Sequence, residues 1–104
     1  MTILVDCEGL SIRLTKERWD HISEHPEMKG LEEAVEETLR FPEIVVESSS
    51  DFSTKLYYHF YQSTIVGGKY LCVVVKCTES DAFVITAYLT DRAKRGKILW
   101  PKKS

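Results

Sequence analysis

Apolar and polar residues recur with two different periods along this chain, and the change of period predicts where helices give way to strands. The opening segment TILVDCEGLSIRL alternates around Glu8-Gly9, which is typical of a short hairpin or a bent edge strand. The next segment, TKERWDHISEHPEMKGLEEAVEETLRFP, has helical spacing and is interrupted at His25-Pro26. Proline disfavours helical geometry in the residue before it, so we expect two short helices here.

The first helix is predicted to begin at Lys16 and to end near His25. Thr15 is a suitable N-cap, because its hydroxyl oxygen can accept a hydrogen bond from a first-turn amide. The second helix is predicted to have one buried stripe and an acidic, solvated opposite side. The stripe is Leu31, Ala34, Val35, Thr38 and Leu39, and the acidic side is Glu32, Glu33, Glu36 and Glu37.

Four strand candidates follow, at residues 43–47, 55–62, 70–77 and 83–89. In the second of these, Leu56, Tyr58 and Phe60 alternate with Tyr57, His59 and Tyr61. The third is apolar on both sides, as a central strand would be. Together these patterns predict an α+β fold in which two N-terminal helices pack on a four-stranded antiparallel sheet, with the N-terminal hairpin or edge strand before them. The other face of that sheet should be partly open.

Composition adds that the 104 residues form one domain, residues 1–104, with 43% hydrophobic and 29% charged residues. This balance excludes a disordered chain, and the net charge of -2 excludes a global attraction to nucleic acid. Three cysteines cannot all pair with one another. With no signal peptide and no apolar run long enough to span a membrane, we expect a reducing cytoplasm and no membrane partner.

Arg18, His21 and His25 occupy helical positions i, i+3 and i+7 beside the buried residues Trp19 and Ile22. A histidine exchanges protons near neutral pH, and an arginine binds phosphate through two parallel hydrogen bonds. This grouping would suit metal-independent RNA cleavage, but a histidine near a helix C-terminus can equally be structural. The i, i+4 histidines lack the glutamate of a zinc-protease motif, so we expect neither a metal nor a cofactor.

Thr86 and Tyr88 form a second candidate group in the last predicted strand. Their hydroxyls would emerge on one face of the sheet, where they could bond a phosphate or orient a histidine, or simply pack as a cross-strand pair. Cations follow directly and could attract a polyanion, or be merely solvated. The cations proposed for substrate binding, beside His25, are Arg92, Lys94 and Arg95.

Taken together, the segments RWDHISEHPEM, EETLRFPEIVVES and VITAYLTDRAKRGKILW resemble small bacterial and phage domains of the Barnase–EndoU–colicin–RelE (BECR) nuclease-like group. The most specific matches are Arg18-x-x-His21-Ile22, His25-Pro26-Glu27, Thr38-Leu39-x-x-Pro42 and Thr86-Ala87-Tyr88. The resemblance implies the α+β fold above for a single BECR-like domain. It also implies a metal-independent endoribonuclease, derived from a toxin or a phage. Arg18 and His21 match recurring polar positions of the group, as do Thr86 and Tyr88.

The first functional hypothesis is therefore an RNA-cleaving enzyme. His21 would act as general base or acid, Arg18 and Arg92 would hold the scissile phosphate, and Tyr88 or Thr86 would orient it. RNA and an antitoxin or other protein would then be the expected partners.

The second hypothesis is a non-enzymatic module that presents a tyrosine-rich sheet face to a protein or to a second copy of itself, forming a homodimer. The tyrosines concerned are Tyr57, Tyr58, Tyr61 and Tyr88.

Overall fold

The structure is a computed structural model and describes residues 2–102. Within this range the chain forms two α-helices, one short 3-10 helix and seven strands. The helices are α1 (Lys16–Ile22) and α2 (Glu32–Arg40), with the 3-10 helix (Pro26–Met28) between them. The strands are β1 (Thr2–Val5), β2 (Ser11–Leu14), β3 (Ile44–Glu47), β4 (Thr54–Thr64), β5 (Gly67–Cys77), β6 (Ala82–Thr90) and β7 (Ile98–Trp100).

All seven strands belong to one mixed sheet, in the order β1-β2-β6-β5-β4-β3-β7. The predicted four-stranded antiparallel sheet is therefore wrong. The four predicted strands do form an antiparallel centre, β6-β5-β4-β3. The N-terminal hairpin β1-β2 is confirmed, and it joins this centre because β2 runs parallel to β6, with Arg13 opposite Phe83. At the other edge, β7 pairs with β3.

The helices follow the local signals closely. Thr15 caps α1 as predicted, since its hydroxyl oxygen accepts a hydrogen bond from the Arg18 amide at 3.0 Å. The helix ends at Ile22 rather than His25, because Pro26 holds His25 in an extended conformation and begins the 3-10 helix. In α2 the predicted stripe faces inward and the four glutamates are exposed. No helix in residues 2–102 has both the length and the apolar character needed to cross a membrane.

The two helices cover one side of the sheet, which we call the helix face; the opposite side is the open face. Side chains on β4 alternate between them as predicted: Tyr57 and Tyr61 belong to the helix-face core, whereas Leu56 and Tyr58 belong to a separate open-face cluster. The helix-face core is larger and includes Ile22 of α1. Most of the apolar burial therefore lies between the helices and the sheet.

A buried carboxylate fastens the N-terminal hairpin to the centre of the sheet. One oxygen of Asp6, Oδ1, accepts hydrogen bonds from the amides of Glu8 and Leu10, both at 2.9 Å. The other oxygen, Oδ2, accepts a hydrogen bond from the Tyr57 hydroxyl at 2.6 Å. Asp6 is only 5% exposed, so these three donors replace its lost hydration.

Residues 91–97, which we call the basic strap, cross the open face between β6 and β7. The amide of Lys94 donates a hydrogen bond to the Tyr58 hydroxyl at 3.1 Å, and Ala93 packs against the open-face cluster. A Cβ atom at Gly96 would lie 2.6 Å from Cγ1 of Val46, so only glycine allows the strap to approach the sheet this closely. These contacts hold the backbone of the strap close to the open face.

Candidate functional site

The structure places the predicted site residues on different surfaces. Arg18 and His21 line one hollow of about 560 Å³, formed by α1 and its cap. The His21 side chain is 65% exposed, and its Nδ1 atom lies 3.4 Å from Oε2 of Glu24. Arg18 and His21 are thus brought together, as predicted, but on the outer surface of the helix.

His25 is not among the residues that line this hollow. It lies just before the 3-10 helix, with Nδ1 3.7 Å from Oε1 of Glu27 and a side chain that is 69% exposed. The shorter α1 explains the separation, because the helical spacing that linked His25 to His21 ends at Ile22.

Thr86 and Tyr88 face away from α1. They pair across the sheet with Val74 and Cys72, which belong to the open-face cluster. Ala87, between them, lies in the helix-face core, and α1 packs against this side of β6. The sheet therefore separates Thr86 and Tyr88 from Arg18 and His21. Within residues 2–102 these four side chains do not form one site, and the catalytic roles assigned to them stay predictions.

Tyr88 instead lines a groove of about 330 Å³ on the open face, together with Lys94 and Arg95 of the basic strap. We call it the open-face groove. Leu56 and Val74 supply apolar surface, and the loop of residues 48–51 forms part of the lining. Of the cations predicted to bind substrate, Lys94 and Arg95 reach this groove. Arg92 is exposed at the start of the strap and does not line it.

The serine-rich loop beside the groove is fixed by Asp51. This carboxylate accepts hydrogen bonds from the Ser53 amide and hydroxyl, the Thr54 hydroxyl and the Lys76 ammonium. Lys76 and these donors hold the pKa of Asp51 well below its usual range. The charge of Asp51 is therefore compensated by Lys76, although both residues lie close to the groove.

Lys94 and Arg95 have no such compensation. Both side chains are exposed, and neither takes part in an ion pair among the residues that the structure describes. Glu47 is the remaining acidic residue in the lining that no described ion pair includes. The groove thus has two available cations against one carboxylate, and it carries a local positive charge on a chain of net charge -2.

Tyr88 enters the groove as a neutral hydroxyl. Burial raises its pKa well above the ordinary value, and the neighbouring thiol of Cys72 raises it further. Burial also raises the pKa of Tyr58, to about 12. Near neutral pH both phenols are protonated, so Tyr88 cannot act as a base.

The chemistry of this groove suits binding more than proton transfer. It combines two cations, several hydroxyls and an apolar floor, and its lining contains no histidine. Sequence reasoning selected Tyr88, Lys94 and Arg95 but missed the loop at residues 48–51. The available signal was the run SSSDF, in which an aspartate follows three hydroxyl-bearing residues, a composition typical of a structured turn.

The tyrosines do not form the single exposed face that the second hypothesis requires. Tyr57 and Tyr61 point to the helix face, whereas Tyr58 and Tyr88 point to the open face. Tyr57 and Tyr58 are almost completely buried. These rings therefore contribute mainly to packing.

His59 also lies on the helix face but does not join His21. Its Nδ1 atom is 2.7 Å from the carbonyl oxygen of Phe41, just beyond α2, and its Nε2 atom is 3.9 Å from Oε1 of Glu37. His59 therefore links the end of α2 to β4, a structural role.

Comparisons with protein-family models, with curated proteins and with solved structures found no match to this chain.

Proposed function

We propose that this chain binds single-stranded RNA in the open-face groove, with RNA phosphates held by Lys94 and Arg95. The observation that supports this most strongly is that Lys94 and Arg95, which have no ion-pair partner among residues 2–102, lie beside an apolar floor and a neutral tyrosine hydroxyl. Proteins that bind single strands combine a positive groove for the backbone with apolar or aromatic surfaces for the bases.

The distribution of charge favours the open face over the helix face. Four exposed glutamates lie along α2, on the opposite side of the sheet from the basic strap. An RNA strand would be repelled from α2 and attracted to the strap. The electrostatic field of the protein would therefore direct an approaching RNA strand to the open face. The acidic total charge is then compatible with RNA binding at one surface.

Hydroxyl groups next to the groove favour RNA over DNA. The hydroxyl groups of Ser48 and Ser50 form a hydrogen bond with each other, with their oxygens 3.1 Å apart, and both residues line the groove. A serine hydroxyl can donate to and accept from a ribose 2′-hydroxyl, which DNA lacks. We expect binding to RNA to be tighter than binding to DNA of the same sequence.

Cleavage of the bound RNA is a separate proposal. It rests on the resemblance to the BECR group and on the shared hollow of Arg18 and His21. Because the sheet lies between that hollow and the open-face groove, binding in the groove does not require His21.

The proposed compartment is the reducing cytoplasm, in keeping with three free cysteines.

A pair of double variants tests the binding proposal. Replacing Lys94 and Arg95 with alanine should weaken binding of a single-stranded RNA about tenfold or more. The slope of log K against the logarithm of the salt concentration should also become less negative by about 1.4, as expected for two lost phosphate contacts. Fluorescence anisotropy at several salt concentrations measures both quantities.

Lys16→Ala with Arg40→Ala is the matched control, because it removes one exposed lysine and one exposed arginine from α1 and α2, on the side of the sheet away from the groove. We expect this control to bind nearly as tightly as the unchanged protein. Equal losses in the two double variants would show that only total charge matters, and the groove assignment would then be wrong.

A further inference from the structure

Two aromatic rings lie on the open face beyond the basic strap. Phe60 and Tyr70 are paired across β4 and β5, with ring centroids 5.2 Å apart and planes at 73°. Tyr70 also packs edge-on against Tyr58, at 6.2 Å and 90°. Tyr70 is thus held between two rings, and Phe60 is the outer member of the group, 38% exposed.

The position of Phe60 is fixed from both sides. Its amide donates a hydrogen bond to Oε2 of Glu43 at 2.6 Å, which anchors the backbone. Gly68 lies beneath the ring, where a Cβ atom would come within 3.1 Å of the Phe60 Cζ atom. The ring therefore rests on a glycine and against Tyr70, leaving part of its surface to solvent. An exposed ring held this way is preorganised for stacking.

The distance from this ring pair to the open-face groove suits a short oligonucleotide. Phe60 is four residues along β4 from Leu56, and Tyr70 is four residues along β5 from Val74. At about 3.4 Å per residue, the two places are roughly 14 Å apart on the same face. The basic strap crosses between them, where the Lys94 amide bonds the Tyr58 hydroxyl.

We infer that Phe60 and Tyr70 form a second base-binding platform for the RNA strand that occupies the open-face groove. This inference rests on the proposed function. One base would lie on the apolar floor of the groove, the phosphates would cross the strap at Lys94, and a later base would stack on the Phe60 ring. Every base has a flat aromatic face, so this platform would accept any base.

The occupant is a nucleic acid rather than an apolar protein segment because exposed cations lie on the same face of the sheet as the ring. The nearest crossing element is the basic strap, which carries Arg92, Lys94 and Arg95 as exposed cations. A face that carries both exposed cations and an exposed ring suits a polyanion that also offers stacking surfaces.

The test compares two RNA lengths with Phe60→Ala. An oligomer of about eight nucleotides should reach both places, whereas a dinucleotide should reach only the groove. We expect Phe60→Ala to weaken binding of the longer RNA about fivefold or more and to leave dinucleotide binding unchanged. Phe60→Trp should bind the longer RNA at least as tightly as the unchanged protein, because its ring is larger.

Phe41→Ala is the matched control, since Phe41 is 64% exposed at the end of α2, away from the open face. Thermal unfolding of each variant verifies that it is folded, and Phe60→Trp retains a stacking ring if the alanine variant unfolds. If Phe60→Ala binds the longer RNA normally while the Lys94 and Arg95 double variant binds it weakly, the proposed platform is wrong and the proposed binding site in the groove is retained. If the unchanged protein binds neither RNA, both proposals fail.

Discussion

Replacing Asp6 with alanine is expected to lower the free energy of unfolding by about 3–5 kcal/mol. The variant removes the acceptor for three donors at once, namely the Tyr57 hydroxyl and the amides of Glu8 and Leu10. Tyr57 is 1% exposed, so its hydroxyl would be left buried without a partner. The turn between β1 and β2 would lose its attachment to β4. The hairpin β1-β2, which forms one edge of the sheet, would be less firmly held as a result.

Chemical denaturation at neutral pH measures this effect directly. Asp20→Ala is a suitable control, because Asp20 is exposed on α1 and its ion-pair partner, Lys16, is exposed as well. We expect the control to unfold at nearly the same denaturant concentration as the unchanged protein. A loss in Asp6→Ala as small as that in the control would mean that the buried hydrogen bonds do not hold the hairpin in place.

Raising the pH above the ordinary range for tyrosine should destabilise the protein steeply. Burial raises the pKa of Tyr57 far above the ordinary value of about 10 for a tyrosine, and the hydrogen bond to Asp6 raises it further. The folded state therefore holds the neutral phenol, whereas the unfolded chain releases the proton near pH 10. The stabilisation is complete below that pH and is lost above it, by about 1.4 kcal/mol per pH unit from Tyr57 alone.

Comparison with Tyr57→Phe isolates this contribution. The variant should be less stable than the unchanged protein at neutral pH, because Asp6 loses a donor, but its stability should fall less steeply in alkali. Denaturation curves from about pH 8 to about pH 12 give both slopes, and this range also covers Tyr58, whose pKa is raised to about 12. Equal alkaline slopes in the two proteins would contradict a protonated, buried Tyr57.

Local features of the fold were predictable from the sequence because they depend on neighbouring residues. The cap at Thr15, the buried stripe of α2 and the alternation along β4 all follow from spacing within one element. Pro26 likewise marked the end of the first helix, although α1 stops at Ile22, before the predicted residue.

Distant pairings were not predictable in this way. Arg13 meets Phe83 although the two are far apart in sequence, and nothing in either segment specifies a parallel neighbour. The strand β7 has only three residues and follows a polar, basic run, so it gives no usable periodicity. The polar segment WPKKS at residues 100–104 is typical of a frayed tail, but Trp100 is part of β7, and residues 103–104 lie outside the described range.

The face of the sheet that carries Thr86 and Tyr88 was not predictable, for a related reason. Strict alternation over residues 83–89 predicts Phe83 on the same face as Ala87, and Val84 on the same face as Thr86 and Tyr88. In the structure the register shifts, so that Val75 pairs with Val84 and Val74 pairs with Thr86. Ile85 is then an extra residue, and the bulge moves Val84 to the helix-face core, whereas Thr86 and Tyr88 keep the shared face that alternation predicts. Composition alone could not tell which face α1 covers, and Thr86 and Tyr88 lie on the side it leaves open.

The most direct test of RNA binding on the open face is to follow backbone amide chemical shifts during titration with a single-stranded oligoribonucleotide. We predict that the largest changes occur in the serine-rich loop, at Tyr88 and in the basic strap, and that α1 and α2 change little. Changes centred on α1 around Arg18 and His21, with the open face unaffected, would contradict the proposed site.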